Sequence, residues 1–342
     1  MDKNCGEKLT KTLIIAEAGV NHNGDVKTAL ELCDKAKDVG ADIVKFQTWK
    51  TKNIITKSAK LAEYQKASSS NIENQYELLS SLELSYNDFQ TIKDYCDKIG
   101  ITFLSTPDDF ESLEFLLSLN IPIIKVGSGE VTNIPYLRKI ANTGKDVILS
   151  TGMSYLHEVE KAYYTFTDSD AKSVSLLHCT TNYPCSMEEV NLSAMQTLKD
   201  AFKTRVGYSD HTLGIEIPIA AVAMGAEIIE KHFTLDKGMK GPDHSASLNP
   251  DEFKSMVKSI RNLELALGDG LKRPNKSELE IAKVVRKFIV AKKKIKIGES
   301  FNEENLALKR TNNLAISAEY WDIVVGQKAK KDFEEDEGIM LL

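Results

Sequence analysis

Short, nearly unbroken apolar runs recur along the first 234 residues. Between them, apolar residues return every three or four positions. The runs are TLIIAEAG (12–19), ADIVKFQT (41–48), ITFLSTP (101–107), IPIIKVGSG (121–129), KDVILSTG (145–152), SVSLLHCT (173–180), RVGYSDHT (205–212) and AEIIEKHFT (226–234). Apolar character that is continuous rather than alternating marks parallel strands covered on both faces. The intervening stretches predict helices. DVKTALELCDKAKDVG (25–40) carries Val26, Ala29, Leu30, Leu32, Cys33, Ala36 and Val39 at helical spacing and stops at Gly40, a common residue just past a helix end. Residues 85–100, 108–120, 133–144 and 214–226 read the same way, with Pro135 just inside one start and Gly144 at its end. Eight strand–helix units in about 240 residues predict an α/β fold, the (β/α)8 TIM barrel. A doubly wound sheet would need a GxGxxG turn after its first strand, and EAGVNHNG (17–24) does not supply one.

Two segments stand outside this rhythm. The insert between the second and third strands, residues 49–84, is too long for an ordinary connection and on a barrel falls at the catalytic face, where long loops bind or cover substrate; its SSSN (68–71) reads as mobile. After a last barrel helix at about 251–267, GDGLKRPNK (268–276) is a connector and SELEIAKVVRK (277–287) a helical stretch. FIVAKKKIKIGESF (288–301) then reads as a strand and turn, with the basic AKKKIK (291–296) a solvated strand face. The expected domains are a barrel over 1–267, a linker over 268–287 and a small domain over 288–342. A domain of that size is marginal alone, and docking on a partner barrel would stabilise it.

Composition narrows the function without naming it. Hydrophobic residues make up 42% of the 342 and charged residues 27%, ordinary for a soluble globular protein. The formal net charge is −6, with Lys and Arg dispersed, which argues against a nucleic-acid partner but not against a local pocket for a small anion. The N-terminal apolar run is too short for a signal peptide core, and no stretch has the length of a membrane span. Cys5, Cys33, Cys96, Cys179 and Cys185 show no CxxC spacing, so reduced thiols in a cytoplasmic protein are expected.

In such barrels the chemistry is built at the C-terminal ends of the strands. Those ends supply Glu17; Lys45 and Gln47; Ser105 and Thr106; Lys125, Ser128 and Glu130; Ser150 and Thr151; His178 and Thr180; Ser209, Asp210 and His211; Glu230, Lys231 and His232. Two of the six histidines, His211 and His232, close adjacent strands and can reach a common point, which suits a divalent metal with open positions. Lys45 and Lys125 are either Schiff-base nucleophiles or clamps for phosphate and carboxylate; the serines and VGSGE (126–130) favour the clamp. Glu17 and Glu130 are candidate acid/base groups.

IIAEAGVNHNG, VKFQT, FLSTPDD, IKVGSGE, ILSTGM, LLHCTTNYP, YSDHT, EKHFTLD and GPDH, in order along the chain, resemble the sialic acid synthase family, the enzymes that make nonulosonic acids. Residues 289–310 are similar to that family's C-terminal antifreeze-like (SAF) domain. The resemblance implies condensation of phosphoenolpyruvate with an N-acetylmannosamine-type sugar, giving a nine-carbon keto acid and phosphate. It implies a divalent metal, Mn2+ or Mg2+, on His211 and His232. It assigns Lys45, Lys125, Ser128, Ser150 and Ser209 to phosphoenolpyruvate, Glu130 to acid/base work beside it, and Glu17, Gln47, Tyr183 and Asp243 to the acceptor sugar. Arg310 matches an arginine that reaches the acceptor's N-acetyl group, in relatives from the other subunit of a domain-swapped homodimer. TNNLA (311–315) departs from the family's Pro-Gly-Asn-Gly run after that arginine. Thr181 stands where some relatives have Asn, with Asn182 adjacent. The product expected first is N-acetylneuraminate, and second N,N'-diacetyllegionaminate from 2,4-diacetamido-2,4,6-trideoxymannose, with AEYQ (62–65) common to both branches. A Schiff-base pyruvate aldolase or lyase is the remoter enzymatic reading. A non-catalytic carbohydrate- or ice-binding protein would leave the strand-end residues without purpose.

Overall fold

The computed structural model describes residues 11–60 and 74–341; SSSN (68–71) and AEYQ (62–65) lie outside the described residues. The chain divides into two compact units at Asp269/Gly270.

The first unit is the expected barrel. Its strands are β1 (Leu13–Gly19), β2 (Ile43–Thr48), β3 (Thr102–Pro107), β4 (Ile123–Val126), β5 (Asp146–Ser150), β6 (Ser173–His178), β7 (Val206–Asp210) and β8 (Ile228–His232). They form one parallel sheet in the order β3-β2-β1-β8-β7-β6-β5-β4, and β3 and β4 lie side by side to complete the ring. Helices follow the predicted rhythm because their ends are locally specified. Asp25 accepts from the backbone N–H groups of Lys27 and Thr28 at the start of Val26–Asp38. Ser85 and Asp88 form a capping box on Tyr86–Ile99, which ends at Gly100 with φ 74°. Asn249 and Glu252 do the same for Pro250–Leu267.

Side chains alternate across each strand, so the sheet has two apolar layers. The outer one, between strands and helices, includes Ile14, Val44, Phe46, Phe103, Leu149, Tyr208, Ile229 and Phe233. The inner one plugs the barrel with Ile15, Ile43, Leu104, Ile148, Leu177 and Ile228. At roughly 1.5–3 kcal/mol for each fully buried side chain of this size, the plug is a large stabilising block. It also forms a dry floor under whatever lies above it.

In the second unit, helix Lys276–Val285 has no buried residue. Strands β9 (Phe288–Ala291) and β10 (Leu306–Lys309) pair antiparallel over a core of Ile289, Ala291, Ile295, Phe301, Leu306, Val324, Ala329, Phe333 and Ile339. AKKKIK is not a continuous strand face. β9 ends at Ala291, Lys292–Lys294 are exposed, and Ile295 turns into the core beside Phe333. Buried Ile295 and Phe301 outweigh the strand periodicity of the lysines.

Candidate active site

Two residues beyond the apolar plug, the same faces of the strands become polar. Glu17, Lys45, Lys125, Ser150, Ser209 and Glu230 are all nearly inaccessible. Register brings them together: Glu17 pairs with Lys45 on one side and His232 on the other, and Ser209 pairs with Glu230.

Glu230 is the hub. Lys125 Nζ lies 3.4 Å from its Oε1 and Lys45 Nζ 3.8 Å from its Oε2, while Ser209 Oγ donates to Oε1 at 2.9 Å. Lys45 also pairs with Glu17 Oε2 at 2.7 Å and donates to Thr106 Oγ1 at 3.2 Å. Lys125 donates to Ser150 Oγ at 2.8 Å, and Gln47 Nε2 to Glu17 Oε1 at 2.9 Å. Burial alone would raise the Glu230 carboxyl, but the Lys125 and Lys45 ammoniums overcome it and bring the pKa down to about 2. Burial likewise acts to lower Lys45, and the carboxylates of Glu17 and Glu230 more than offset it, so this ammonium stays charged. Burial raises Glu17, against the pull of Lys45.

The histidines converge as expected, with ring centroids 5.5 Å apart and the Tyr183 ring 4.2 Å from that of His211 and 5.5 Å from that of His232. His211 Nδ1 lies 2.6 Å from the Thr180 carbonyl, which can only accept. The proton is therefore on Nδ1 and the Nε2 lone pair is free, the arrangement that metal-binding imidazoles adopt. Burial lowers both imidazoles, outweighing the Thr180 carbonyl and the Glu230 carboxylate that act to raise His211, so both are neutral donors. Nδ1 of His232 is buried with no hydrogen-bond partner, with Asp243 Oδ2 3.8 Å away. Among the described residues no group of three or more His, Cys, Asp and Glu is arranged around one metal position. Two neutral imidazoles thus fit a divalent cation only as part of an open site.

The remaining residues fall into three places. Ser128 Oγ accepts from the Gly152 backbone N–H at 3.0 Å and contacts Cys179 Sγ at 3.3 Å. A Cβ on Gly152 would sit 2.3 Å from Thr181 Oγ1 and 3.0 Å from Ser128 Oγ, so glycine is needed for those hydroxyls to approach. Asn182 turns instead toward Glu189, its Nδ2 3.4 Å from Oε2. Glu130 lies on the turn after β4 and accepts from Asn133 Nδ2 at 2.6 Å. Arg310 is exposed in the second unit, just beyond β10.

Two carboxyls to which the sequence assigns no role stand out in the structure. Glu230 was one of three consecutive polar residues, and only the facing lysines single it out. Asp108, directly after β3, is pushed up to about 7 by burial and then by the nearby Glu130. Burial and the Glu17 carboxylate do the same to Asp243, also to about 7.

Buried ammoniums and hydroxyls above an apolar plug, beside two neutral imidazoles, define a barrel protein that takes an anionic ligand next to a candidate cation position. Comparison with known proteins makes the class specific: residues 32–272 match the NeuB family model and residues 286–341 the SAF domain model. The chain belongs to the NeuB family, the sialic acid synthases. It is 52% identical over 331 residues to an N,N'-diacetyllegionaminic acid synthase of Campylobacter jejuni, covering 96% of this chain and 99% of that one. It is 36% identical over 329 residues to the N-acetylneuraminate-9-phosphate synthase of Homo sapiens, covering 96% and 91%. The crystal structure of a sialic acid synthetase from Leptospira borgpetersenii, in complex with citrate, matches with TM-score 0.70 at 36% identity, over 80% of this chain and 92% of that one.

Proposed function

We propose that the chain condenses phosphoenolpyruvate with an N-acetylated amino sugar of the N-acetylmannosamine type to give a nonulosonic acid and phosphate. The observation that carries this is the convergence of Lys45 and Lys125 on one ionised carboxylate, Glu230, beside the His211–His232 pair. C3 of phosphoenolpyruvate attacks the sugar's aldehyde carbon, water adds at C2, and phosphate leaves with C–O cleavage.

Lys45 and Lys125 neutralise the phosphate and carboxylate, with Ser128, Ser150, Ser209 and Thr181 donating hydroxyls. Thr181 has the better support over Asn182, because its hydroxyl crowds Gly152 beside Ser128. Glu230 aims both amino groups before substrate arrives and helps keep Lys45 charged, while burial lowers Lys125 against its pull. Glu17, Gln47, Tyr183 and Asp243 face the sugar, and Glu130 serves as acid/base beside the enol phosphate. His211 and His232 would hold Mn2+ or Mg2+, which when bound supplies Lewis-acid polarisation of the sugar carbonyl. Lys45, paired with Glu17 at 2.7 Å, is a poor Schiff-base nucleophile.

Of the two acceptors, 52% identity to a diacetyllegionaminic acid synthase against 36% to a neuraminate-9-phosphate synthase supports the diacetamido sugar. A homodimer with exchanged C-terminal domains is supported by Leu279, Ile281, Val284 and Val285, all exposed on Lys276–Val285; Arg310 would then reach the partner's sugar. The four described cysteines form no disulfide, and no described helix is long and apolar enough to cross a membrane.

The test is phosphate release with each component omitted in turn. Release is expected only with phosphoenolpyruvate, sugar and divalent metal together, with higher kcat/KM on the diacetamido sugar than on N-acetylmannosamine. Turnover that survives strict chelation, or borohydride trapping of pyruvate on Lys125, would overturn the reading.

A further inference from the structure

The reaction makes no use of a charged pair that sits directly behind the two histidines. On β7 and the residue just past it, Ser209 and His211 face the mouth, so Tyr208 and Asp210 face the helices; on β8, Glu230 and His232 face the mouth, so Ile229 and Lys231 face the helices. Asp210 and Lys231 are register partners, and both are 0% exposed. Lys231 Nζ lies 2.5 Å from Asp210 Oδ2 and also donates to the Thr212 carbonyl. Asp210 Oδ1 accepts from the Thr212 backbone N–H at 3.0 Å and from its hydroxyl at 2.9 Å.

The carboxylate therefore closes a turn whose middle residue is His211. The ammonium ties that turn to β8 one residue before His232. Around them the layer is apolar, with Tyr208, Ile229 and Phe233 fully buried. Two ions in such a layer lose their hydration, and a hydrophobic pair of similar volume is often at least as stable. Stability alone is a poor reason for charge here, whereas directional bonds between two strand ends hold a geometry that apolar contacts would leave loose.

We infer that the Asp210–Lys231 bridge is a positioning device that sets the spacing and orientation of His211 and His232 from behind. Two further bonds complete the grip on His211: its carbonyl accepts from the Cys185 backbone N–H at 2.8 Å, and its Nδ1–H donates to Thr180. Ring direction, backbone position and the tie to β8 are each fixed by a separate bond. This inference rests on the proposed role of the two histidines as cation ligands.

The experiment titrates Mn2+ into the full chain with saturating phosphoenolpyruvate, reading free Mn2+ by electron paramagnetic resonance. The variants are Asp210→Asn/Lys231→Met, which is neutral and volume-matched, and Thr212→Val, which removes the hydroxyl's bonds to both Asp210 oxygens and leaves the ion pair. The double variant is expected to melt close to the parent and bind Mn2+ about 10- to 100-fold more weakly, the range seen when groups behind metal ligands are lost. Thr212→Val is expected to weaken Mn2+ by a smaller factor, and it decides the matter if the double variant does not fold. Parent-like Mn2+ affinity in either folded variant overturns the inference alone. A parent chain that binds no Mn2+ overturns the metal reading, and this inference with it.

Discussion

Two layers of side chains fill the inside of the barrel, two residues apart on the same strands, and they could hardly differ more in chemistry. Ile15, Ile43, Leu104, Ile148, Leu177 and Ile228 form the lower layer; Glu17, Lys45, Thr106, Ser150, Cys179 and Glu230 stand directly above them. Both layers are buried, none of the twelve more than 5% exposed. The lower layer gains stability from its burial, whereas the upper one loses hydration and recovers it only through ion pairs and hydrogen bonds. The lesson is that equal burial has opposite signs in the two layers. The apolar floor keeps water from beneath, so charges above it act at short range and in a low dielectric.

The largest effect is expected where the upper layer's charge balance breaks. Glu230→Gln removes the carboxylate that faces both Lys45 and Lys125. Breaking a buried pair by removing one partner costs about 3–5 kcal/mol of stability. Losing one preorganised charge is expected to lower kcat by about 10²–10³. Denaturant melts and steady-state phosphate release read the two effects; near-parental turnover would remove Glu230 from the centre of the site.

Ile148→Ala is the matched change in the lower layer. It opens a cavity in a side chain only 3% exposed and is expected to cost about 2–5 kcal/mol. Its folded fraction should keep the parent's KM for phosphoenolpyruvate, because Lys125 and Ser150 bond to each other above the cavity. A KM shift as large as the Glu230 variant's would show that the layers are not separable.

The sequence carried the lower layer more openly than the upper. Eight apolar runs were enough for the barrel, since a strand buried on both faces can hardly be written otherwise. His211, His232, Lys45 and Lys125 were legible because they interrupt such runs. Glu230 was not, because Glu230-Lys231-His232 offers three polar residues and only strand parity, fixed by Ile228 in the plug and Ile229 outside it, says which face the mouth. Asp108 depends on its burial and on carboxyls from elsewhere in the barrel, Glu130 and Glu17, whose proximity no local pattern encodes. The approach of Thr181 to Gly152, which supports Thr181 over Asn182 in the proposed site, is a contact between the turns after β5 and β6.

The smallest expected effect probes the rim of the upper layer, where the Asp108 carboxyl is only partly shielded. Burial, reinforced by Glu130, raises its pKa from 3.8 to about 7. The folded chain thus holds a proton there that the unfolded chain has released at any pH between those values. That contribution favours the fold fully below the ordinary carboxylate range and is lost as pH rises through about 7. Asp108→Asn substitutes a neutral group of the same shape, so it relieves a penalty that builds as pH rises from 3.8 to about 7. The variant should melt above the parent at pH 8, by about 2–4 °C for each kcal/mol relieved, and this gain should fall to less than about half at pH 5, vanishing only below 3.8. A gain of the same size at both values would mean that shape, not charge, sets the effect. A loss at pH 8 would mean that ionised Asp108 is held by Lys45 as firmly as Glu17 is, extending the charged layer out to the rim.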